Sequence, residues 1–261
     1  MAYREFQPIA AFRHRVDAYW VNRRDAGDGA PIDRVLPDGC IDLVFRSGAD
    51  GGWLFGSALI ERPTYFDGNS PAWYVGVRFR PAMARGVLDV DPADCRDRDL
   101  PAREIDPLFA ALEAQLQDAV SPEQAFAILK RAVDVRLAHS GRHEAPTRVQ
   151  EALRLLTGGG DAAQVRNVAS RLGITERSLH RDLVRWSGLS PKILARILRM
   201  QRTLAAIRRG TAPLAHVALH MGYADQAHMT RELKDLSGYA PSELMPVRNL
   251  QDAAWRAAYV R

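Results

Sequence analysis

The sequence predicts an α+β chain in two domains: a small β-barrel-like N-terminal domain with following helices, and an all-α C-terminal domain made of a duplicated helix pair. Three observations predict it. The last third repeats itself, the first third reads as short strands with no helices between them, and charge is divided between the halves. The repeat fixes the architecture before any local reading does. Ala169, Gly173 and Ile174 recur forty-nine positions on as Ala218, Gly222 and Tyr223. Thr175, Leu179, Arg181, Leu183, Gly188 and Pro191 recur fifty positions on as Asp225, Met229, Arg231, Leu233, Gly238 and Pro241. One residue is inserted in the turn, and the positions on either side are kept.

Each unit reads as helix, glycine turn, capped helix. In the first, Val165, Val168, Ala169 and Leu172 fall at helical spacing and give a short helix with one apolar face. Gly173 supplies the left-handed conformation that ends a helix and turns the chain. Thr175 is an N-cap for a second helix, which carries Leu179 and Leu183 inward and leaves Arg177, Ser178, His180, Arg181 and Arg185 outside. The second unit turns Leu214, Val217, Ala218 and Met221 inward, bends at Gly222 and caps with Asp225. Its second helix points Met229 and Leu233 in and Gln226, Ala227, Thr230, Arg231 and Lys234 out. Between the units, Ser190 and Pro191 start a connecting helix that runs to Arg209, with Arg196, Arg199 and Arg202 at i, i+3 spacing and Lys192 at its start. Two helices joined by a short glycine turn form a helix-turn-helix, whose second helix enters the major groove of DNA. One such pattern is a weak signal. Two in register, each closed by Gly-x-x-Pro, are a specific one.

The region from about Thr147 to Arg248 resembles the DNA-binding half of the AraC/XylS family of bacterial transcription regulators. The segments VASRLGITERSLHRDL, GLSPKILARILRMQRTLAAI and VALHMGYADQAHMTRELKDLSGYAPSEL carry the resemblance, over roughly two-fifths of the chain. It implies a transcription regulator, activator or repressor, with double-stranded DNA and RNA polymerase as partners and no cofactor. It places Arg177, Ser178, His180 and Arg181 toward the groove on the first recognition helix, and Gln226, Ala227, Thr230 and Arg231 on the second. Where the family commonly has Phe-Lys after the first recognition helix, this chain has Leu183 and Val184; the second half keeps its phosphate-pairing lysine as Lys234. Arginine suits guanine and Gln226 suits adenine, since each can make paired hydrogen bonds to that base edge. Arg196, Arg199 and Arg202 are expected to contact phosphates.

Charge agrees with this division. Residues 147–261 hold eighteen Arg and Lys against nine Asp and Glu, while residues 1–146 hold eighteen against twenty-two. A basic half beside an acidic one is the footprint of a nucleic-acid module joined to something else. Lys occurs only at positions 130, 192 and 234, so Arg is abundant throughout, but that bias alone does not sort charge between halves. No stretch is long and apolar enough to span a membrane, the N-terminus does not read as a signal peptide, and Cys40 and Cys95 read as reduced thiols. The cytoplasm is the expected compartment.

In the N-terminal half, Val16–Arg23, Arg34–Leu36, Cys40–Arg46, Trp53–Gly56, Thr64–Asp67 and Trp73–Arg80 read as strands separated by Gly, Pro, Asn and Asp turns. Helical signals follow from Pro81 to Leu88, at Asp106–Gln117 with Leu108, Leu112 and Leu116 in a stripe, and from Ser121-Pro122 to about His139, with Phe126, Leu129, Val133 and Leu137 in another. These helices pack internally or offer a surface to a second chain in a homodimer. Residues 1–145 are thus read as a sensory or dimerisation domain, 146–248 as the DNA-binding domain and 249–261 as a tail, with 140–146 as linker. The segments RVLPDGCIDLVF and YVGVRFRPAMARGVL resemble an uncharacterised domain often found in front of AraC-type DNA-binding halves, a resemblance that brings no settled ligand.

A metal-bearing barrel needs clustered histidines, and the β-rich region has only His14. His216 and His220 share an i, i+4 spacing without an obvious third ligand, so no metal is expected. Cys40 reads as a buried apolar side chain rather than a reactive thiol. On strand Cys40–Arg46, Asp42 lies on the face opposite Ile41 and Leu43; on Trp73–Arg80, Arg78 and Arg80 lie opposite Val77 and Phe79. Asp42, Arg78 and Arg80 therefore form either an ion-paired cluster or a site for an anionic small-molecule effector. An enzyme with a DNA-targeting tail would need a nucleophile and base or a metal set, which the sequence does not offer. An architectural DNA-bender would use minor-groove wedges instead of two capped helices.

Overall fold

The computed structural model describes residues 2–24, 32–48, 51–67, 72–139, 144–210 and 212–244. The expected tail and most of the expected linker lie outside them. The chain divides into two units: one of Met1–Asp33, Cys40–Leu59 and Tyr65–Ala145, the other of Arg34–Gly39, Ile60–Thr64 and the chain from Pro146 onward.

The strands are β1 (Ala2–Phe6), β2 (Val16–Arg24), β3 (Ile32–Val35), β4 (Ile41–Arg46), β5 (Trp53–Gly56), β6 (Thr64–Asp67), β7 (Ala72–Phe79) and β8 (Leu100–Pro101). Six form one antiparallel sheet in the order β1-β2-β7-β4-β5-β8, and β3 pairs with β6 separately. The α+β class holds, and the sheet is open, ending at β1 and β8. All six expected strands form. The two additional ones are its edges: β1, whose Tyr-Arg-Glu carries little apolar alternation, and β8, which is two residues long and contains a proline.

Helices α1 (Ala84–Leu88), α2 (Ala102–Ile105), α3 (Pro107–Gln117) and α4 (Pro122–His139) complete the first unit. Helix α4 packs on β2 and β7, and α3 on β5. Beneath them the sheet contributes Tyr19, Leu43, Phe45, Leu54, Val75, Val77 and Phe79, all buried. Burying each such side chain stabilises the fold by about 1.5–3 kcal/mol, which makes this face the main core of the unit. The stripe on α4 is Ala125, Leu129, Val133 and Leu137, with Phe126 beside it against Phe6 at 4.7 Å. On α3 the stripe is Phe109, Leu112 and Leu116; Leu108 is 65% exposed. Asp106 caps this helix through Leu108 N, so Leu108 sits in the first turn, where the buried face has rotated toward Phe109.

In the second unit, α5 (Thr147–Gly158), α6 (Val165–Arg171), α7 (Glu176–Ser187), α8 (Pro191–Arg209), α9 (Leu214–His220), α10 (Gln226–Ser237) and α11 (Pro241–Leu244) follow in order. Helix α8 is the spine: it contacts α5, α6, α7, α9, α10 and α11, and so buries residues on most of its circumference, among them Leu194, Ile197, Met200, Leu204 and Ile207. Buried Gln201 donates to Pro37 O at 2.5 Å, within a segment where Leu36 is only 1% exposed. The unit that carries the helices thus incorporates residues 34–39 from far earlier in the chain. Gln201→Ala is expected to cost about 1–3 kcal/mol, because it strands a buried acceptor. Residues 146–261 alone should accordingly unfold at lower denaturant than the same helices in the full chain. Equal midpoints in a denaturant titration would contradict this.

Candidate nucleic-acid interface

The two helix pairs repeat in hydrogen bonds as well as in residues. Ile174 N donates to Ala169 O at 3.0 Å and Tyr223 N to Ala218 O at 3.0 Å; Gly173 N donates to Ser170 O and Gly222 N to Leu219 O, each at 3.1 Å. Both glycines adopt positive φ, 64° and 83°, which is why a residue without Cβ stands at each turn. Thr175 accepts from Ser178 N at 3.1 Å and Asp225 from His228 N at 2.6 Å, so each recognition helix starts from a satisfied cap. At the other ends Ser187 Oγ donates to Leu183 O and Ser237 Oγ to Leu233 O, a matching pair fifty positions apart, and Gly188 and Gly238 close the helices in the left-handed region. Leu179, Leu183, Met229 and Leu233 are fully buried. Local rules fold these helices, and the caps and leucines together decide which side faces out.

That outer side carries Arg177, His180 and Arg181 on α7 and Gln226, Ala227, Arg231 and Lys234 on α10, all exposed, with Ser178 and Thr230 half-buried. Ser178 is part of the cap, its hydroxyl accepting from Thr175 Oγ1 at 3.0 Å. Among the described residues, none of the side chains of Arg177, His180, Arg181, Gln226, Arg231 and Lys234 is engaged in an intramolecular hydrogen bond or ion pair, in contrast to most arginines elsewhere in the unit. Their donors are available to a ligand in the solvent.

The arginine row of α8, expected to contact phosphates, is the opposite case: its guanidinium groups are engaged within the chain. Arg196 pairs with Glu232 at 3.1 Å and Asp235 at 2.5 Å. Arg199 forks onto Glu232 through two hydrogen bonds of 2.8 and 2.6 Å and lies over the Tyr223 ring at 4.5 Å. Burial works to lower the pKa of Arg199, and the hydrogen bonds and charge of Glu232 outweigh it, leaving it raised. Arg202 donates to Thr157 O at 2.8 Å, and burial lowers its pKa. Few acids lie nearby in sequence; those that engage Arg196 and Arg199 arrive from α10, thirty-three to thirty-nine residues on. Glu232 and Asp182, both buried, are the functional candidates that sequence reasoning passed over. The repeat itself was the available signal, since they stand fifty positions apart and both are acidic beside an inward leucine. His216 and His220 are exposed, and the described residues hold no cluster able to ligate a metal.

In the first unit, Asp42, Arg78 and Arg80 come together with two further carboxylates. Asp42 stands opposite Arg78 in the β4–β7 register, and Trp20 lies flat over Gly76, where a Cβ would meet the indole at 2.4 Å. Trp20 Nε1 donates to Asp42 Oδ2 at 2.8 Å. The Arg78 guanidinium lies 3.3 Å from Glu5, 3.7 Å from Asp42 and 3.9 Å from Asp17, with Tyr3 hydrogen-bonded to Glu5 beside it. Burial raises the pKa of Glu5, although Arg78 pulls it the other way. Arg80 donates to Arg13 O at 2.7 Å and reaches Asp17 at 3.7 Å. Of the two alternatives read from the sequence, the geometry realises the ion-paired cluster. Three carboxylates enclose Arg78, so it is not presented to an anionic effector. Cys40 and Cys95 are both buried, and burial pushes the Cys95 thiol up to about 11, far from a reactive thiolate.

Comparison with known proteins accords with this geometry. Residues 168–246 match a family model described as a helix-turn-helix domain, and residues 4–101 match one described as a domain of unknown function, DUF6597. The HTH-type transcriptional activator RhaS of Escherichia fergusonii is 28% identical over 82 residues, which are 31% of this chain and 30% of that protein. The chain therefore spans about 30% of the length of this curated relative. Among solved structures, the C-terminal domain of AraT, a response regulator from Geobacillus stearothermophilus, is similar at 20% identity, covering 40% of this chain and 88% of that one with a TM-score of 0.38. ToxT from Vibrio cholerae O395 is similar at 10% identity over 87% of this chain and 96% of its own, with a TM-score of 0.46. No described helix is long and apolar enough to cross a membrane. The C-terminal region of this chain thus carries a helix-turn-helix domain, and the region before it matches a DUF6597 domain.

Proposed function

We propose that the protein is a sequence-specific DNA-binding transcription regulator whose two recognition helices read successive major grooves of double-stranded DNA. The observation that carries this reading is the pair of capped, leucine-anchored helices whose outward side chains are exposed and unengaged. Arg177, His180 and Arg181 serve as readers on α7, Gln226, Thr230 and Arg231 on α10, Ala227 offers a methyl contact, and Lys234 pairs with phosphate. The nineteen-residue α8 supports the two-groove geometry, since it is about 28 Å long against ~34 Å for one turn of DNA. The likeness of the C-terminal region to a transcriptional activator supports activation; RNA polymerase as a further partner and the cytoplasm as the place of action belong to the same proposal. The N-terminal half modulates binding, through an effector or by pairing subunits; the presence of residues 34–39 in the helical unit supports that role. Selection of bound sequences from a random duplex pool tests the reading. Enrichment of one sequence family is the expected result, and a pool that stays random after repeated rounds would refute it.

A further inference from the structure

We propose that Asp182 and Glu232 are positioning residues that fix the rotation of the two recognition helices about their own axes. This rests on the reading that those helices recognise bases. The two carboxylates occupy the same place in the repeat, directly before the inward Leu183 and Leu233, and both are at least nine-tenths buried. Each is gripped by a two-pronged guanidinium from the helix that precedes its helix pair. On α5, Arg148 Nε lies 2.6 Å from Asp182 Oδ2 and Nη2 lies 3.1 Å from Oδ1. On α8, Arg199 takes both oxygens of Glu232, with Arg196 adding a third bond. The arginines come from different positions of α5 and α8, so the clasp is built twice from unlike parts.

Apolar anchors alone do not supply this constraint. Leu179 with Leu183, and Met229 with Leu233, hold their helices by contacts that have little directionality. A forked ion pair is directional. A rotation of about 20° moves an atom at the helix surface, ~6 Å from the axis, by about 2 Å. The window for a hydrogen bond to a base edge is about 0.5 Å wide. Unclasped helices would therefore keep their fold and their charge while losing register with the bases.

The test uses the full chain on its selected sequence and on a scrambled duplex, with salt titrations and thermal unfolding alongside. Arg199→Ala is expected to lower affinity for the selected site about tenfold or more, comparable to losing one good base contact. Affinity for scrambled DNA should stay within about twofold, and the slope of log affinity against log salt should not change. Adding Glu232→Ala to Arg199→Ala should cause less loss than the two single effects together. At α7, where Arg148 is more exposed and its replacement is safer for folding, Arg148→Glu should reduce site affinity and Arg148→Glu with Asp182→Arg should restore most of it. Equal losses on both duplexes with a slope flatter by about one unit would make Arg199 a phosphate ligand and overturn the proposal. Unchanged site affinity in folded Arg199→Ala and Arg148→Glu would also overturn it. Failure of the unaltered chain to enrich any sequence would instead remove the reading on which the proposal rests.

Discussion

Arg78→Leu is expected to destabilise the N-terminal unit by about 3–5 kcal/mol, the range for removing one partner of a buried ion pair. The size follows from what stays behind. Glu5 and Asp17 are almost entirely buried, Asp42 nearly so, and all three lie within 4 Å of the guanidinium. Without it they face one another, with Arg80 at the edge of the cluster 3.7 Å from Asp17. Arg78→Lys should recover part of the loss, since it restores charge without the fork that reaches several acids at once. Denaturant unfolding of the full chain, followed by tryptophan fluorescence with Trp186 replaced by Phe in every variant, measures both variants. A loss below about 1 kcal/mol for Arg78→Leu would mean that water, not arginine, compensates the acids.

Gln226→Ala is expected to cost about 1–3 kcal/mol on the selected DNA site and almost nothing on scrambled duplex. Gln226 is the first residue of α10, directly after the Asp225 cap, and its amide is exposed and unengaged. The substitution leaves the cap, the buried face and the net charge unchanged, so what it removes is the amide's paired hydrogen bonds to a base edge. Comparison of dissociation constants on the two duplexes reads the effect directly. Equal losses on both would mean that Gln226 does not read bases.

The sequence made the recognition helices legible because everything that shapes them is local. The glycine turns, the Thr175 and Asp225 caps and the i, i+4 leucines act within a few residues of each other, and the fifty-residue repeat states them twice. The strands of the sheet were legible for the same reason, through alternation at Ile41–Phe45 and Val75–Phe79. What stayed hidden depends on partners brought together by the fold. Arg196 and Arg199 read as free cations because Glu232 and Asp235 reach them only when α10 packs on α8. Asp17 is hidden in another way: the β2–β7 register shifts between Val16 and Ala18, and this bulge brings Asp17 to Arg78, on the face that strict alternation denies it. Edge strand β1 supplies Glu5 to the same cluster, from a segment whose alternation carries too little apolar signal to announce a strand.

On the proposed function, α7 and α10 enter successive major grooves from one side of the duplex. Hydroxyl-radical footprinting of the full chain on its selected sequence tests it most directly, because the pattern of protected sugars reports which face of the DNA is covered. Two protected patches about ten base pairs apart on one face are expected, set in unlike sequences because α7 and α10 present different side chains. Arg181→Ala should weaken only one patch and Arg231→Ala only the other. A single patch, or two patches on opposite faces of the helix, would contradict it.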